Sequence, residues 1–226
     1  MNAILNTFRE LRRYPSAIAG LTIIFILLVI SVITLIVLPY NEAVVLWRGG
    51  EEIWYKNPRL TPPRGVNYFR SDKLAESFSL NSVDGDSTKE VVYDQGVGRA
   101  NFVFTFDFEA DSFPQELILY FKTTFAEKKP YASIYWVKPD GTEVRVGDFS
   151  VDTTQTYRFS QDSKLQRRVG GLSPEIGLFA ADLKAEPPTP LKGTYTLRIE
   201  GLFFEEANDM DAEFILHGQV SGWAGT

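Results

Sequence analysis

Acidic side chains near the C-terminus provide the first candidate chemistry in this sequence. Asp209, Asp211 and Glu213 occupy every second position of the segment NDMDAE. Such spacing could present carboxylate oxygens to Ca²⁺, but the sixth-position glycine and the distal bidentate glutamate of a calcium loop are missing. We therefore interpret these acids, together with Asp84 and Asp86, as solvated turn residues, and we predict no metal site.

The single histidine, His217, is the next candidate. On strand parity it shares a face with Ile215 and Gln219, opposite Phe214 and Leu216. One histidine cannot form a histidine-rich metal site, and the sequence offers no G-x-S-x-G or other nucleophile context for a triad. We predict no catalytic residue.

Two further motifs are interpreted as structural. Glu205 and Glu206 are adjacent, so in an extended chain they point to opposite faces, which is poor geometry for a catalytic carboxylate pair. The segment DQGVGR, residues 94 to 99, has a G-x-G but neither the third glycine nor the following helix of a dinucleotide site. We expect a loop between strands there, and we predict neither an enzyme nor a cofactor.

The segments that would position these side chains show the two-residue period of β-strands. In NFVFTFDFEA, Phe102, Phe104, Phe106 and Phe108 share one face, and polar residues share most of the other. Similar alternation predicts strands in ELILYFKTTF, ASIYWV, TEVRVGDF, GTYTLRIEGLFF and AEFILHGQV, with a tight hairpin turn at KPDG. Six or more antiparallel strands without a helix between them predict a mainly β fold, an antiparallel β-sandwich that resembles a jelly roll.

Two segments do not follow this period. SVDGDSTKE, residues 82 to 90, is rich in turn residues and predicts a loop. Residues 161 to 193 are mixed in pattern and rich in proline, which predicts a long excursion from the sheets.

A long apolar segment lies near the N-terminus. Residues 17 to 38 include no charge, and 16 of these 22 residues are Ile, Leu, Val or Phe. As a helix they would cover about 33 Å, the thickness of the hydrocarbon core of a bilayer. A cleaved signal peptide has a shorter apolar core and a small-residue cleavage site, whereas this core runs into Pro39 and Tyr40. We predict a retained transmembrane helix.

The charges beside this helix predict its orientation. Arg9, Arg12 and Arg13 precede it closely, and Arg48 alone lies at a comparable distance after it. The positive-inside bias therefore predicts a cytoplasmic N-terminus in the cell membrane and an extracytoplasmic location for the rest. Residues 2 to 12 have leucine and phenylalanine at three-residue spacing, which is typical of a helix on the cytoplasmic membrane surface.

Charge and composition exclude some function classes. The first 40 residues hold three basic and one acidic residue, so the 23 basic and 29 acidic residues of the chain become 20 and 28 beyond them, a formal charge of −8. That charge does not suit a nucleic-acid binder. The absence of cysteine excludes disulfides and thiolate metal sites.

These observations give four predicted regions. They are a cytoplasmic amphipathic segment over 1–14, a transmembrane helix over 15–40, a juxtamembrane linker over 41–69 and the β-sandwich over 70–226. The linker is rich in aromatic residues, namely Trp47, Trp54, Tyr55, Tyr68 and Phe69. Such residues either lie at the membrane–water boundary or pack beneath the outer domain, and the sequence leaves both possibilities open.

The N-terminal segment resembles a known family. LRRYPSAIAGLTIIFILLVISVITLIVLPYNE, residues 11 to 42, is similar to the start of the permeases of ABC importers for dipeptides, oligopeptides and nickel. The first span of those permeases typically begins with basic-x-Pro-x-Ala-x-x-Gly-Leu and closes with Pro-Tyr before an acidic or amide residue. The matching positions here are Arg12, Arg13, Pro15, Ala17, Gly20, Leu21, Pro39, Tyr40 and Asn41.

Two other segments add to this resemblance. Gly225 and Thr226 match the first two residues of a Gly-Thr-Asp element that precedes the second span in that family. NPRLTPPRGVNYF, residues 57 to 69, resembles a subgroup with a large domain inserted in the first external loop. The resemblance implies the N-terminal portion of a permease, and as partners a second permease subunit, ATPase subunits and an extracytoplasmic substrate-binding protein.

A function from another class also fits the sequence. A single-span anchored β-sandwich could bind carbohydrate or protein at the cell surface, with exposed aromatics such as Tyr135 and Trp136 as its contact patch. Because these two residues are adjacent in a predicted strand, at least one of them must face a core.

Overall fold

The chain divides into two compact units, Met1–Tyr55 and Lys56–Thr226. A computed structural model describes residues 14–37, 40–48, 60–83, 85, 87–94, 96–206 and 208–221. The predicted cytoplasmic segment over 1–14, apart from Tyr14, lies outside these residues, as do Trp54, Tyr55, Asp84, Asp86, Gly225 and Thr226.

The first unit contains helix α1, Pro15–Val37, and helix α2, Tyr40–Arg48. Proline suits the first turn of a helix because its missing N–H would have no partner there. The hydroxyls of Thr22 and Thr34 donate to the carbonyls of Ile18 and Ile30, so the polar side chains are satisfied within the helix. Among the described residues α1 is the helix long and apolar enough to cross a membrane, a property that signal sequences share.

The second unit is built from nine strands in its described residues. In chain order they are β1 Phe78–Asn81, β2 Ser87–Asp94, β3 Val97–Phe108, β4 Glu116–Thr124, β5 Tyr131–Val137, β6 Glu143–Ser150, β7 Thr154–Arg158, β8 Gly193–Phe203 and β9 Asp209–His217. They form an antiparallel four-stranded sheet in the order β1-β9-β4-β7 and an antiparallel five-stranded sheet in the order β2-β3-β8-β5-β6.

The two sheets face each other as a β-sandwich, as predicted. Without β2, the strand orders are those of a jelly roll, in which the chain crosses repeatedly between two four-stranded sheets. The predicted alternation is confirmed in β3, where Phe102, Phe104, Phe106 and Phe108 are buried. The segment read as a loop over residues 82–90 differs from that prediction, since β2 begins at Ser87.

The core between the sheets is rich in aromatic rings. Phe106 lies at its centre, with ring centroids 5.8 Å from both Trp136 and Tyr195 and 5.5 Å from Phe214. Aromatic pairs at these separations add to the stabilisation that comes from burying their apolar area. Packing of these rings therefore determines which face of β3, β5, β8 and β9 is buried, and the residues of the other face point outward.

The excursion between β7 and β8 closes one end of the sandwich. It includes a 3₁₀ turn Phe159–Gln161, helix α3 Ser163–Arg168 and helix α4 Pro174–Gly177. The buried Lys138 ammonium donates to the carbonyls of Gly177 and Ala180 at 3.0 and 2.9 Å, and burial lowers the pKa of Lys138. Two charge-assisted hydrogen bonds thus hold the excursion against the sheet.

The sandwich unit begins earlier in the chain than the predicted boundary at residue 70. A 3₁₀ helix, Arg64–Phe69, belongs to it, and Ser221 N donates to the carbonyl of Pro62 at 2.9 Å. Pro63 pairs with Ser221 and Glu76 with Val220 in short parallel bridges. The chain therefore enters and leaves the sandwich side by side, at what we name the base end.

Candidate functional site

The acids of the D-x-D-x-E segment are strand residues rather than turn residues. Asp209 and Asp211 lie in β9, and both accept hydrogen bonds from Lys89 Nζ, at 3.0 and 2.8 Å. Burial alone would lower the pKa of Lys89, but the two carboxylates outweigh it and raise that pKa. Within the described residues, no group of three His, Asp or Glu side chains is placed to hold a metal ion.

His217 lies at the base end of β9, on the outer face of the four-stranded sheet. Its neighbour in the register is Glu116 of β4, with His217 Nδ1 and Glu116 Oε2 3.8 Å apart. Arg158 of β7 donates to Glu116 at 2.7 Å, and burial together with the Glu116 charge raises the pKa of Glu175 in α4. Arg158 and Glu116 thus form an ion pair between β7 and β4, and His217 of β9 lies beside it.

Glu205 has a structural role at the end opposite the base, which we name the distal end. The Glu205 carboxylate accepts backbone N–H bonds from Ala126, Glu127 and Lys128 at 3.0 to 3.2 Å. Partial desolvation raises the pKa of Glu205, but these donors outweigh it and leave the pKa below its usual value. Glu205 therefore clamps the β4–β5 loop, and the carboxylates of Glu205 and Glu206 do not form a pair.

An open groove on the outer face of the five-stranded sheet is the site best suited to binding. It encloses about 600 Å³, and its side chains come from three adjacent strands. The register brings them together in two rows across β3, β8 and β5. One row is Arg99, Leu202 and Tyr131, and the other is Asn101, Glu200 and Ser133.

The groove offers both donors and acceptors. Asn101 Oδ1 is buried and has no hydrogen-bond partner among the described residues. Glu200 Oε1 lies 3.3 Å from Arg198 Nε, and the Tyr131 hydroxyl donates to Asp148 at 3.0 Å. A buried amide oxygen without a partner is costly in a folded protein. A ligand in the groove could donate to this oxygen once the Asn101 side chain rotates outward, and that bond would remove the cost.

One aromatic side chain borders this groove. Tyr135 points outward beside it, and the Arg198 guanidinium lies 4.9 Å from its ring centroid. Trp136 points inward, is fully buried and donates from Nε1 to the carbonyl of Leu178 at 3.2 Å. Of the two residues proposed as a contact patch, Tyr135 alone is on the surface.

Sequence reasoning did not single out the groove residues. Asn101, Ser133 and Glu200 are polar outward positions of three alternating strands, and alternation alone identifies them as such. Their meeting depends on β8 lying between β3 and β5, strands that are far from it in the chain. A local sequence pattern carries no signal for that order.

Comparisons with known proteins do not give this chain a family. No family and no curated protein matches it. Among solved structures it is similar to TmCBM61, solved with beta-1,4-galactotriose, at 8% identity and a TM-score of 0.26, over 70% of this chain and 92% of that one. A second similar structure belongs to the carbohydrate-binding modules of the β-sandwich superfamily, at 10% identity and a TM-score of 0.27, over 72% of this chain and 62% of that one.

Proposed function

We propose that this chain is the N-terminal part of a membrane-spanning permease subunit of a peptide- or nickel-type ABC importer. Helix α1 would be its first span, with the N-terminus in the cytoplasm, and the β-sandwich would be a domain inserted in the first external loop. The matching residues around Pro15, Gly20 and Tyr40 support this proposal, as does the length of α1.

The observation that carries the proposal is the position of the two ends of the sandwich. Ser221 N bonds to Pro62 O at 2.9 Å, and the N–H groups of Gln219 and Val220 both donate to Ala75 O, at 2.7 and 3.1 Å. A domain whose ends are adjacent can be inserted in a loop without separating the segments that flank it. Adjacent ends therefore suit a domain between two membrane spans that pack together.

The partners follow from the proposed function. A second permease subunit would complete the pathway, ATPase subunits would bind on the cytoplasmic side, and a substrate-binding protein would deliver substrate on the other side. We propose that the sandwich contacts the substrate-binding protein.

Association in the native cell tests this proposal. The natural gene product is purified through a tag, with and without residues 60–221, from membranes solubilised in mild detergent. We expect ATPase and second permease subunits to co-purify with both forms, and less substrate-binding protein with the deletion. Absence of ATPase from both purifications would contradict the assignment, and equal amounts of binding protein would contradict the role of the sandwich.

The groove favours a second candidate, a membrane-anchored module that binds carbohydrate or protein at the cell surface. Its support is the buried, unpartnered Asn101 Oδ1 beside Ser133 and Glu200. Asn101→Ala should then abolish binding to a glycan array or to a surface protein, while Thr105→Ala on the same strand should preserve it. Reading the gene beyond codon 226 separates the two candidates, because several apolar spans would support the permease and a stop codon the module.

A further inference from the structure

Two neighbouring aromatic side chains stand out from the base end of the sandwich. Tyr68 is 81% exposed and Phe69 is 93% exposed, at the end of the 3₁₀ helix Arg64–Phe69. We name residues 64–76 the base loop. Leu60, just before it, is fully exposed as well. Exposed large apolar side chains that are grouped together commonly mark an interaction surface.

The base loop is held firmly around these aromatic residues. The buried Asn67 side chain donates to Leu74 O and accepts from Leu74 N, both at 3.0 Å. Lys73 Nζ donates to the carbonyls of Asn67 and Arg70 at 2.7 and 3.2 Å. The backbone on both sides of Tyr68 and Phe69 is therefore fixed, and the loop keeps the two rings in solvent instead of turning them into the core.

The base loop also flanks the point where the chain enters and leaves the sandwich. Its two stems pair with the last described strand segment, through Pro63 with Ser221 and Glu76 with Val220. In a domain inserted between two spans, this is the end that faces the membrane. The exposed aromatic residues are thus on the side where a bilayer would be.

Charge at the base loop is nearly balanced and does not oppose contact with a lipid surface. Residues beyond 40 carry a formal charge of −8, yet the base loop holds three basic and two acidic residues. Both acids are ion-paired, Glu76 with Arg64 at 2.7 Å and Asp72 with Arg70 at 2.5 Å. Asp107, Glu109 and Asp111 lie beside the loop, so the charge of the base end is close to balanced and does not strongly repel anionic headgroups.

We propose that the base loop is a membrane-contact surface, in which Tyr68 and Phe69 lie in the headgroup region of the bilayer that α1 spans. Aromatic side chains are enriched at that depth because their rings are apolar and Tyr also carries a polar hydroxyl. This inference rests on the proposed insertion of α1. The contact would hold the base loop at the bilayer surface.

Site-directed spin labelling tests the proposal, because the chain has no cysteine and each introduced one is unique. Phe69→Cys, Val92→Cys and Ile26→Cys are labelled separately in the full chain, reconstituted in vesicles of phosphatidylethanolamine and phosphatidylglycerol. Val92, 64% exposed beside the β2–β3 turn, is the matched control at the distal end. Ile26 reports on the middle of α1.

Collision rates with oxygen, which enters lipid, and with a water-soluble nickel complex give the depth of each label. We expect the label at position 26 to lie deep in lipid. The label at position 69 should collide more often with oxygen and less often with the nickel complex than the label at position 92, which should stay accessible to nickel. If the label at position 26 is deep in lipid but the label at position 69 is as accessible to nickel as the label at position 92, the membrane contact alone is overturned. An aqueous Ile26 would overturn the span and the contact together. Shielding of Phe69 from both reagents would indicate a protein neighbour and would also overturn the contact.

Discussion

Asp162 shows how one carboxylate organises the closed end of the sandwich. It precedes α3, and its Oδ1 accepts from the backbone N–H groups of Lys164 and Leu165 at 2.8 and 3.0 Å. Its Oδ2 accepts from the Tyr157 hydroxyl at 2.6 Å. Burial raises the pKa of Asp162, but these donors outweigh it and leave the pKa below the usual 3.8. The same contact and burial raise the pKa of Tyr157.

Asp162→Ala should therefore destabilise the sandwich in a pH-dependent way. We expect a loss of about 1–2 kcal/mol in the free energy of unfolding at neutral pH, from the missing helix cap and the unpartnered Tyr157 hydroxyl. Because the folded-state pKa lies below the unfolded value, the stabilisation is complete above the unfolded pKa and disappears as pH falls through the folded one. Urea unfolding of both proteins across acidic and neutral pH measures this difference.

Asp162→Asn is the matched control for the charge. The amide retains an oxygen that can accept hydrogen bonds from the helix N-terminus, but the side chain cannot ionise. The free energies of unfolding of Asp162→Asn and Asp162→Ala should therefore differ by a constant amount as the pH falls. A difference between wild type and Asp162→Ala that stays constant into acid would show that the charge contributes nothing.

At the scale of elements, β3 shows most clearly which side chains face the core of the sandwich. Its even-numbered residues are buried and its odd-numbered ones are outside or at the rim. Phe106→Ala should lower the free energy of unfolding by about 3–5 kcal/mol, because it removes a ring that contacts four other aromatic residues. Thermal unfolding followed by near-ultraviolet circular dichroism would measure it.

The neighbouring position is the control for this prediction. Thr105 is on the same strand but points to solvent, so Thr105→Ala should change stability by about 0.5 kcal/mol or less. Comparable losses at both positions would mean that the face assignment of β3 is wrong.

The same strands show what the sequence could and could not predict. β3, β5 and β8 each bury one face, so their apolar residues repeat with period two and the strands are visible in the sequence. β2 is an edge strand whose last five residues are exposed, so it buries no continuous face and its sequence lacks that period. For this reason the sequence predicts a loop over the first residues of β2.

The candidate groove was beyond prediction for a different reason. Asn101 meets Glu200 across β3 and β8, and Glu200 meets Ser133 across β8 and β5, so the site depends on pairings between segments far apart in the chain. The exposure of Tyr68 and Phe69 likewise depends on Asn67 binding Leu74. Sequence alone left those aromatics equally suited to the membrane boundary and to the underside of the domain.

At the scale of the whole molecule, the sandwich has two chemically different ends. The base end carries the adjacent chain crossings and the aromatic base loop. The distal end carries the β2–β3 turn, with Val92 and Tyr93 exposed, and the loop clamped by Glu205. The two ends of the sandwich therefore present different surfaces to their surroundings.

The paired ends lead to a prediction about the sandwich as a unit. Residues 60–221, inserted in a surface loop of a stable host protein without tryptophan, should fold with the host intact. This segment contains one tryptophan, the fully buried Trp136, so its fluorescence during urea unfolding reports on the sandwich alone.

The matched control ends at His217 and loses the hydrogen bonds that Gln219, Val220 and Ser221 make to Ala75 and Pro62. We expect the control to unfold at clearly lower urea, because the two chain segments at the base end are then no longer hydrogen-bonded to each other. Equal midpoints for the two insertions would show that the paired ends do not stabilise the domain, and the case for a domain inserted between two spans would lose its structural support.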